Sequence, residues 1–345
     1  MIKKRVILWL LFVWLVGCTA VPDSSPAANE NTENGTTNLP AGFDIEGHRG
    51  ARGLKPENTL PAFERALDLG VTTLELDLHF TKDGEVVVWH DPVLLPEKCV
   101  LAPDAAATYG PDDFFQSDDL ADRYDGEYMI SRMMLNQLRP YLCNQNPDAD
   151  RYPDQNSDPT PLAGDNYHII TLQELFDFVQ TYSQSPEKTA EQRANAAQVQ
   201  FNIETKRKPD NPETIGDAFD GQNPGAFELR ILEIVEAYGL TDRVIIQSFD
   251  HRSLWAVHNV NPDIQLAALT SRTRPNFDDL VQNGAAIWSP NVKDLTPRLL
   301  SQAHEAGLRV IPWTVNDADD MHELIQMGID GLITDRPDVL LEIEN

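Results

Sequence analysis

Positive charge is what this chain lacks most. It carries 27 lysines and arginines against 55 aspartates and glutamates in 345 residues, a formal charge of −28. General nucleic-acid binding needs a basic footprint and is excluded. An anionic substrate would require a metal and a few bases to reverse the sign locally. Long apolar runs are missing as well. Val6 to Val16 is apolar but shorter than the roughly 20 residues of a membrane-spanning helix, so it reads as a secretory signal. Cysteine is scarce, at Cys18, Cys99 and Cys143 only.

Lys3, Lys4 and Arg5 precede the apolar run, and Leu15-Val16-Gly17-Cys18 ends it. The ending resembles the lipobox of bacterial lipoproteins. That resemblance implies a signal peptide over 1–17 and lipid on Cys18 as the new N-terminus. Losing Lys3, Lys4 and Arg5 takes the charge from −28 to −31. Residues 18–41 are rich in Ser, Asn, Thr and Pro, cannot bury a core, and read as a flexible tether. The expected location is outside the cell, lipid-anchored to the outer face of a bacterial membrane or in the periplasm. Contact with the membrane is expected through the anchor alone. Cys99 and Cys143 remain and can pair in an oxidising compartment. No protein partner can be inferred.

The 300 or so residues after the tether suit one large domain, residues 42–345. Apolar runs at 43–45, 73–78, 199–203, 244–247, 264–269, 286–288, 310–315 and 331–333 predict eight strands. Helical patterns alternate with them, at 60–69, 171–182, 227–238, 251–258, 277–282, 297–306, 317–327 and 337–343. The expected fold is α/β, a (β/α)8 TIM barrel, with a doubly wound open sheet as the competing reading. Glu85 to Trp89 reads as a hairpin excursion from the second strand. Residues 92–167, rich in Asp, Pro, Gln and Asn, read as an inserted loop-rich subdomain overhanging the strand ends.

A barrel collects its chemistry at the C-terminal ends of its strands. His48 and Arg49 follow the first expected strand. Glu75, Asp77 and His79 share one face of the second, because strand side chains alternate. Two same-face carboxylates can hold one hard cation. Glu204 and Lys206 end the third strand, Gln247 and Ser248 the fourth, Trp313 and Asn316 the seventh, and Asp335 the eighth. His90-Asp91 closes the excursion. His79 is left open between a supporting and a structural role, and His168, His251, His258, His304 and His322 read as surface residues.

Taken together, His48-Arg49-Gly50, Pro56-Glu57-Asn58-Thr59, Glu75-Leu76-Asp77, Thr81-Lys82-Asp83-Gly84 and His90-Asp91 resemble the glycerophosphodiester phosphodiesterase family. Ile203-Glu204-Thr205-Lys206, Gln247-Ser248-Phe249, Trp313-Thr314-Val315-Asn316 and Ile333-Thr334-Asp335-Arg336-Pro337-Asp338 extend the resemblance. It implies metal-dependent hydrolysis of a small anionic glycerophosphodiester to glycerol 3-phosphate and an alcohol. It further implies His48 and His90 as the general acid/base pair. Glu75, Asp77 and Glu204 would be ligands of one divalent ion, Ca2+ or Mg2+ with Ca2+ favoured. Arg49 and Lys206 would contact phosphate, and Trp313 would face the glycerol or the leaving group. Glu57, Asn58 and Gln247 would support these residues from behind. A phospholipase C- or D-type enzyme of the same barrel and an inactive lipid-tethered binding protein are the alternatives. Glu46 departs from the pattern and is expected to touch the site or perturb His48. The long insertion departs too, and bears on substrate size.

Overall fold

A computed structural model describes residues 39–109 and 128–343. The expected signal peptide, Cys18, most of the tether and the acidic run from Asp112 to Asp122 lie outside the described residues. Eight parallel strands form the sheet: β1 (Asp44–Gly47), β2 (Thr73–Phe80), β3 (Gln200–Thr205), β4 (Val244–Ser248), β5 (Gln265–Thr270), β6 (Ile287–Pro290), β7 (Arg309–Val310) and β8 (Gly331–Thr334). Their order is β7-β6-β5-β4-β3-β2-β1-β8. Backbone bonds from Asp330 N to Val310 O (3.0 Å) and from Ile333 N to Pro312 O (3.1 Å) bring the two ends together. The result is a nearly closed barrel with helices outside, the predicted (β/α)8 architecture.

Alternation within the strands decides what faces where. On β2, Leu74, Leu76 and Leu78 are fully buried in the layer between sheet and helices, with Phe63 and Leu67 of the helix Leu60–Leu69. Thr73, Glu75, Asp77 and His79 take the other face. The barrel interior is divided. Ile245, Ala267, Ile287, Ile311 and Ile333 form an apolar plug from β4 to β8, whereas β1 to β3 contribute Glu46, Glu75, Asp77, Asn202 and Glu204. Burying so many ionisable groups is costly unless they are paired or bind a cation.

One local expectation is corrected, and one helix is added that the sequence pattern did not predict. The seventh strand, predicted over 310–315, keeps ladder pairing only at Arg309–Val310. Pro312 has no N–H to donate, and beyond it the chain keeps one isolated bridge, Trp313 with Asn291, and the bond from Val315 N to Ile333 O. A helix at Ala190–Ala196, within a stretch too polar to predict, is closed by a capping box of Thr189 and Gln192.

Within the insertion, Val100–Leu101 pairs antiparallel with Tyr141–Leu142, and Cys99 is disulfide-bonded to Cys143. Leu94, Ile130, Met133, Leu138 and both cysteines pack against Val87 and Trp89 of the excursion. The described part of the insertion therefore has a small apolar core of its own.

Candidate active site

The His-Arg-Gly turn after β1 is built on backbone conformations that few residues tolerate. Arg49 has a φ of +54° and Asn58 of +57°, left-handed values that non-glycine residues keep mainly where surrounding contacts hold them. Gly50, at φ +86°, lies so close to the helix Leu60–Leu69 that a Cβ would sit 2.6 Å from the Ala62 carbonyl carbon. The turn aims the Arg49 amide at Glu75 Oε2, 2.9 Å away. The loop that follows returns Asn58, whose Nδ2 donates to Asp77 Oδ2 at 2.8 Å.

A cavity of about 560 Å³ opens at the C-terminal ends of the strands. His48, Arg49, Glu57, Glu75, His90, Glu204, Lys206, Gln247 and Trp313 all line it. Lys98, Arg151 and Tyr152 reach in from the insertion, so the overhang is real. Asp77 and Asn58 stand just behind. His168, His251, His258, His304 and His322 do not line it.

Glu75, Asp77 and Glu204 each offer a carboxylate oxygen within 4.8 Å of the other two. Burial first, then mutual repulsion, pushes the Glu75 carboxyl well above its ordinary pKa, and burial with Asp77 raises Glu204. Burial would raise Asp77 too, but Arg49 and Lys206 hold it well below the carboxylate range. Gln247 Nε2 donates to Glu75 Oε1 at 2.8 Å, and Lys206 Nζ lies 2.8 Å from Glu204 Oε1. Asp77 Oδ1 makes no hydrogen bond despite full burial. Hard oxygen donors, buried and crowded, two of them pushed toward protonation and the third facing only the Lys206 ammonium at 3.3 Å through its Oδ1, fit a divalent cation.

Two histidines flank the carboxylates. His48 Nδ1 is 2.7 Å from Asp335 Oδ1, and its Nε2 is 3.9 Å from Glu75 Oε2. His90 Nδ1 is 3.1 Å from Asp91 Oδ1. Burial lowers both imidazoles to a pKa of about 4, aided by Arg52 at His48 and by Arg49 and Lys206 at His90. His79 is buried behind them, its Nε2 3.1 Å from the His90 carbonyl oxygen, so its ring supports the His90 backbone.

Arg49 reaches Glu57 Oε1 through Nη1 at 2.9 Å and lies 3.1 Å from Asp77 through Nε. Trp313 donates from Nε1 to Ser289 O at 3.0 Å and meets Phe249 edge-on, with centroids 5.6 Å apart. Glu46 does not touch the cavity. It is buried inside the barrel, where its Oε2 accepts from Asn202 Nδ2 at 2.7 Å.

Several contributors had no role assigned from the sequence, although Asn316 and Asp335 stood at expected strand ends. Arg52 clasps Asp335 through Nε and Nη2, at 2.7 and 3.0 Å, and lies 5.0 Å from the Tyr152 ring centroid. Asn316 Nδ2 donates to the same carboxylate at 2.7 Å. The signal for Arg52 was its place three residues after Arg49, and that for Asp335 its place at the end of β8. Lys98 and Tyr152, in an aperiodic insertion, carried no signal.

Comparison with known proteins agrees with this geometry. The model of the glycerophosphoryl diester phosphodiesterase family matches residues 48–339. A glycerophosphodiester phosphodiesterase of Caldanaerobacter subterraneus is 27% identical over 300 residues, covering 86% of this chain and 95% of the relative. One from Bacillus altitudinis is 26% identical, covering 87% and 97%. The fold matches the solved structure of an Oleispira antarctica phosphodiesterase in complex with the product sn-glycerol 3-phosphate, with a TM-score of 0.61, 19% identity, and coverage of 88% and 95%. The chain belongs to the glycerophosphoryl diester phosphodiesterase family.

Proposed function

We propose that this phosphoric diester hydrolase cleaves glycerophosphodiesters to glycerol 3-phosphate and an alcohol, using one divalent cation and the pair His48 and His90. The observation that carries the reading is the cluster Glu75, Asp77 and Glu204 at one cavity that both His48 and His90 line. The product named for the Oleispira antarctica structure is the one proposed here. A Ca2+ or Mg2+ ion held by the three carboxylates would neutralise charge on the phosphate oxygens.

The chain's own groups account for the rest. Arg49 and Lys206 supply fixed positive charge beside the carboxylates, against the −28 of the whole chain. Asp335 accepts at His48 Nδ1, which places the proton there and leaves Nε2 to take one from the attacking hydroxyl. Asp91 orients His90 in the same sense. Both imidazoles rest neutral, and an anionic phosphate between them raises their basicity. One removes a proton from the attacker, either water or the substrate's glycerol hydroxyl. The other takes up a proton from solvent as the phosphate binds beside it, and gives that proton to the leaving alkoxide. Trp313 offers an apolar wall for the glycerol or the leaving group.

The segment Leu15-Val16-Gly17-Cys18 supports an exported protein tethered by lipid on Cys18. The purified enzyme, stripped by chelation and resupplied with Ca2+ or Mg2+, is assayed against glycerophosphodiesters of different alcohols. Metal-restored release of glycerol 3-phosphate is expected; full rates in excess chelator, or a different phosphorylated product, would overturn the reading.

A further inference from the structure

One cation at the cavity comes from the insertion and binds no proposed metal ligand. Lys98 Nζ lies 2.6 Å from Asp91 Oδ2 and 2.7 Å from Glu57 Oε1, with its side chain only 13% exposed. It sits 5.7 Å from the Trp89 ring centroid. Each of its two carboxylates has a second partner in the machinery. Asp91 holds His90 Nδ1, and Glu57 accepts from Arg49 Nη1. Glu57, His90 and Asp91 bring their polar atoms within 4.8 Å of one another. With the ammonium bonded to both acids, that cluster carries its own cation.

The lysine is also firmly held at its backbone. Its N–H donates to Leu95 O at 2.9 Å, and its carbonyl oxygen accepts from Gln145 N at 3.1 Å. Its neighbour Cys99 is bonded to Cys143, two residues before Gln145, and both cysteines sit in the small core with Trp89. The bridge joins positions 44 residues apart. It therefore fixes the place from which the ammonium reaches.

We infer that Lys98, anchored by the Cys99–Cys143 disulfide, is a positioning residue: it clamps Asp91 and Glu57 and so orients His90 and Arg49 for the reaction. The inference rests on the proposed role of His90. A flexible lysine without the bridge spends less time on both carboxylates. Asp91, sharing a cavity with Glu57, then turns from His90.

The test is steady-state kinetics on the full enzyme with saturating metal, using Lys98→Met, Lys98→Arg, and Cys99→Ala with Cys143→Ala. The cysteine pair is also measured in the Lys98→Met background. Lys98→Met is expected to lower kcat by up to about 10²-fold, the cost of a small misplacement of a reacting group, while KM changes little, and Lys98→Arg is expected to recover most of that loss. Removing the bridge should lower kcat in the wild type and far less in the Lys98→Met background, because the two act through one path. A raised KM with unchanged kcat would make Lys98 a substrate contact and overturn the inference. So would an arginine no better than methionine, or losses that multiply independently. A cysteine variant without a native far-UV spectrum would overturn the anchoring role, since the bridge would then hold the barrel. His90→Ala is the control: if it keeps the wild-type kcat, the reading of the site fails, whereas an inactive His90→Ala beside a fully active Lys98→Met sinks only this inference.

Discussion

His48 Nδ1 and Asp335 Oδ1 are 2.7 Å apart in space and 287 residues apart in sequence. The parallel barrel brings them together, because β8 lies beside β1 with Gly47 opposite Thr334. Asp335 accepts from Arg52 and Asn316 as well, so its carboxylate cannot rotate away from the imidazole. Burial would raise its pKa, but His48 and then Arg52 hold it far below the usual range. The dyad is fixed before any substrate arrives.

His48→Ala and His90→Ala are each expected to lower kcat by ~10²–10⁴-fold, the range of a general acid or base. Neither ring fills the apolar plug of the barrel, so the far-UV spectrum should persist. Initial rates on a diester with a poor leaving group check this, because such a substrate depends most on the proton donor.

Asp335→Asn keeps the shape and removes the charge. The amide can present an N–H to His48 Nδ1 and so favour the wrong tautomer. It also takes the closer of two carboxylates from the buried Arg52 guanidinium, which keeps Glu57 at 3.4 Å, so the loss should fall below the about 3–5 kcal/mol of a fully broken buried pair. Both kcat and Tm should therefore fall, and kinetics with thermal melts distinguish this from a change confined to the rate.

Metal binding should register in stability as well as in rate. A ligand at 100 times its Kd adds about 2.7 kcal/mol to a folded state that alone binds it. Melts in chelator and then in Ca2+ or Mg2+ should differ, and Glu75→Gln or Asp77→Asn should shrink the difference. Equal melts with and without metal in the wild type would count against the three-carboxylate site.

Local patterns made most of the fold legible. The alternation of Thr73 to His79 assigned the faces of β2, and the helix expected over 171–182 begins at Leu172, opened by a capping box of Thr171 and Glu174. His48, Glu75, His90 and Glu204 could be grouped because each sits at or near a strand end, and a barrel brings such ends together. The roles of Arg52 and Lys98 were not legible. Arg52 acts on a carboxylate 283 residues away, and Lys98 owes its position to a disulfide and a small core inside a segment without periodicity. Glu46 was misjudged through its nearness to His48. Two residues along a strand keep the same face but move one layer down, and that layer separates Glu46 from the cavity.

Glu46 also gives the clearest pH prediction. It is fully buried, its Oε1 has no partner, and burial followed by the nearby Asp44 charge pushes its pKa well above the ordinary value. In the unfolded chain the same group titrates near ~4.3. Above that pH the unfolded state gives up a proton that the folded state retains, so stability falls as pH rises toward the folded pKa. Glu46→Gln cannot ionise and keeps an oxygen to accept from Asn202. Its Tm should therefore exceed that of the wild type at pH 7–8, and the gap should close as the pH approaches 4. Melting curves of both proteins across that range decide the matter. A gap that widened on acidification would show that Glu46 is ionised in the folded barrel, with the Asn202 amide supporting the charge.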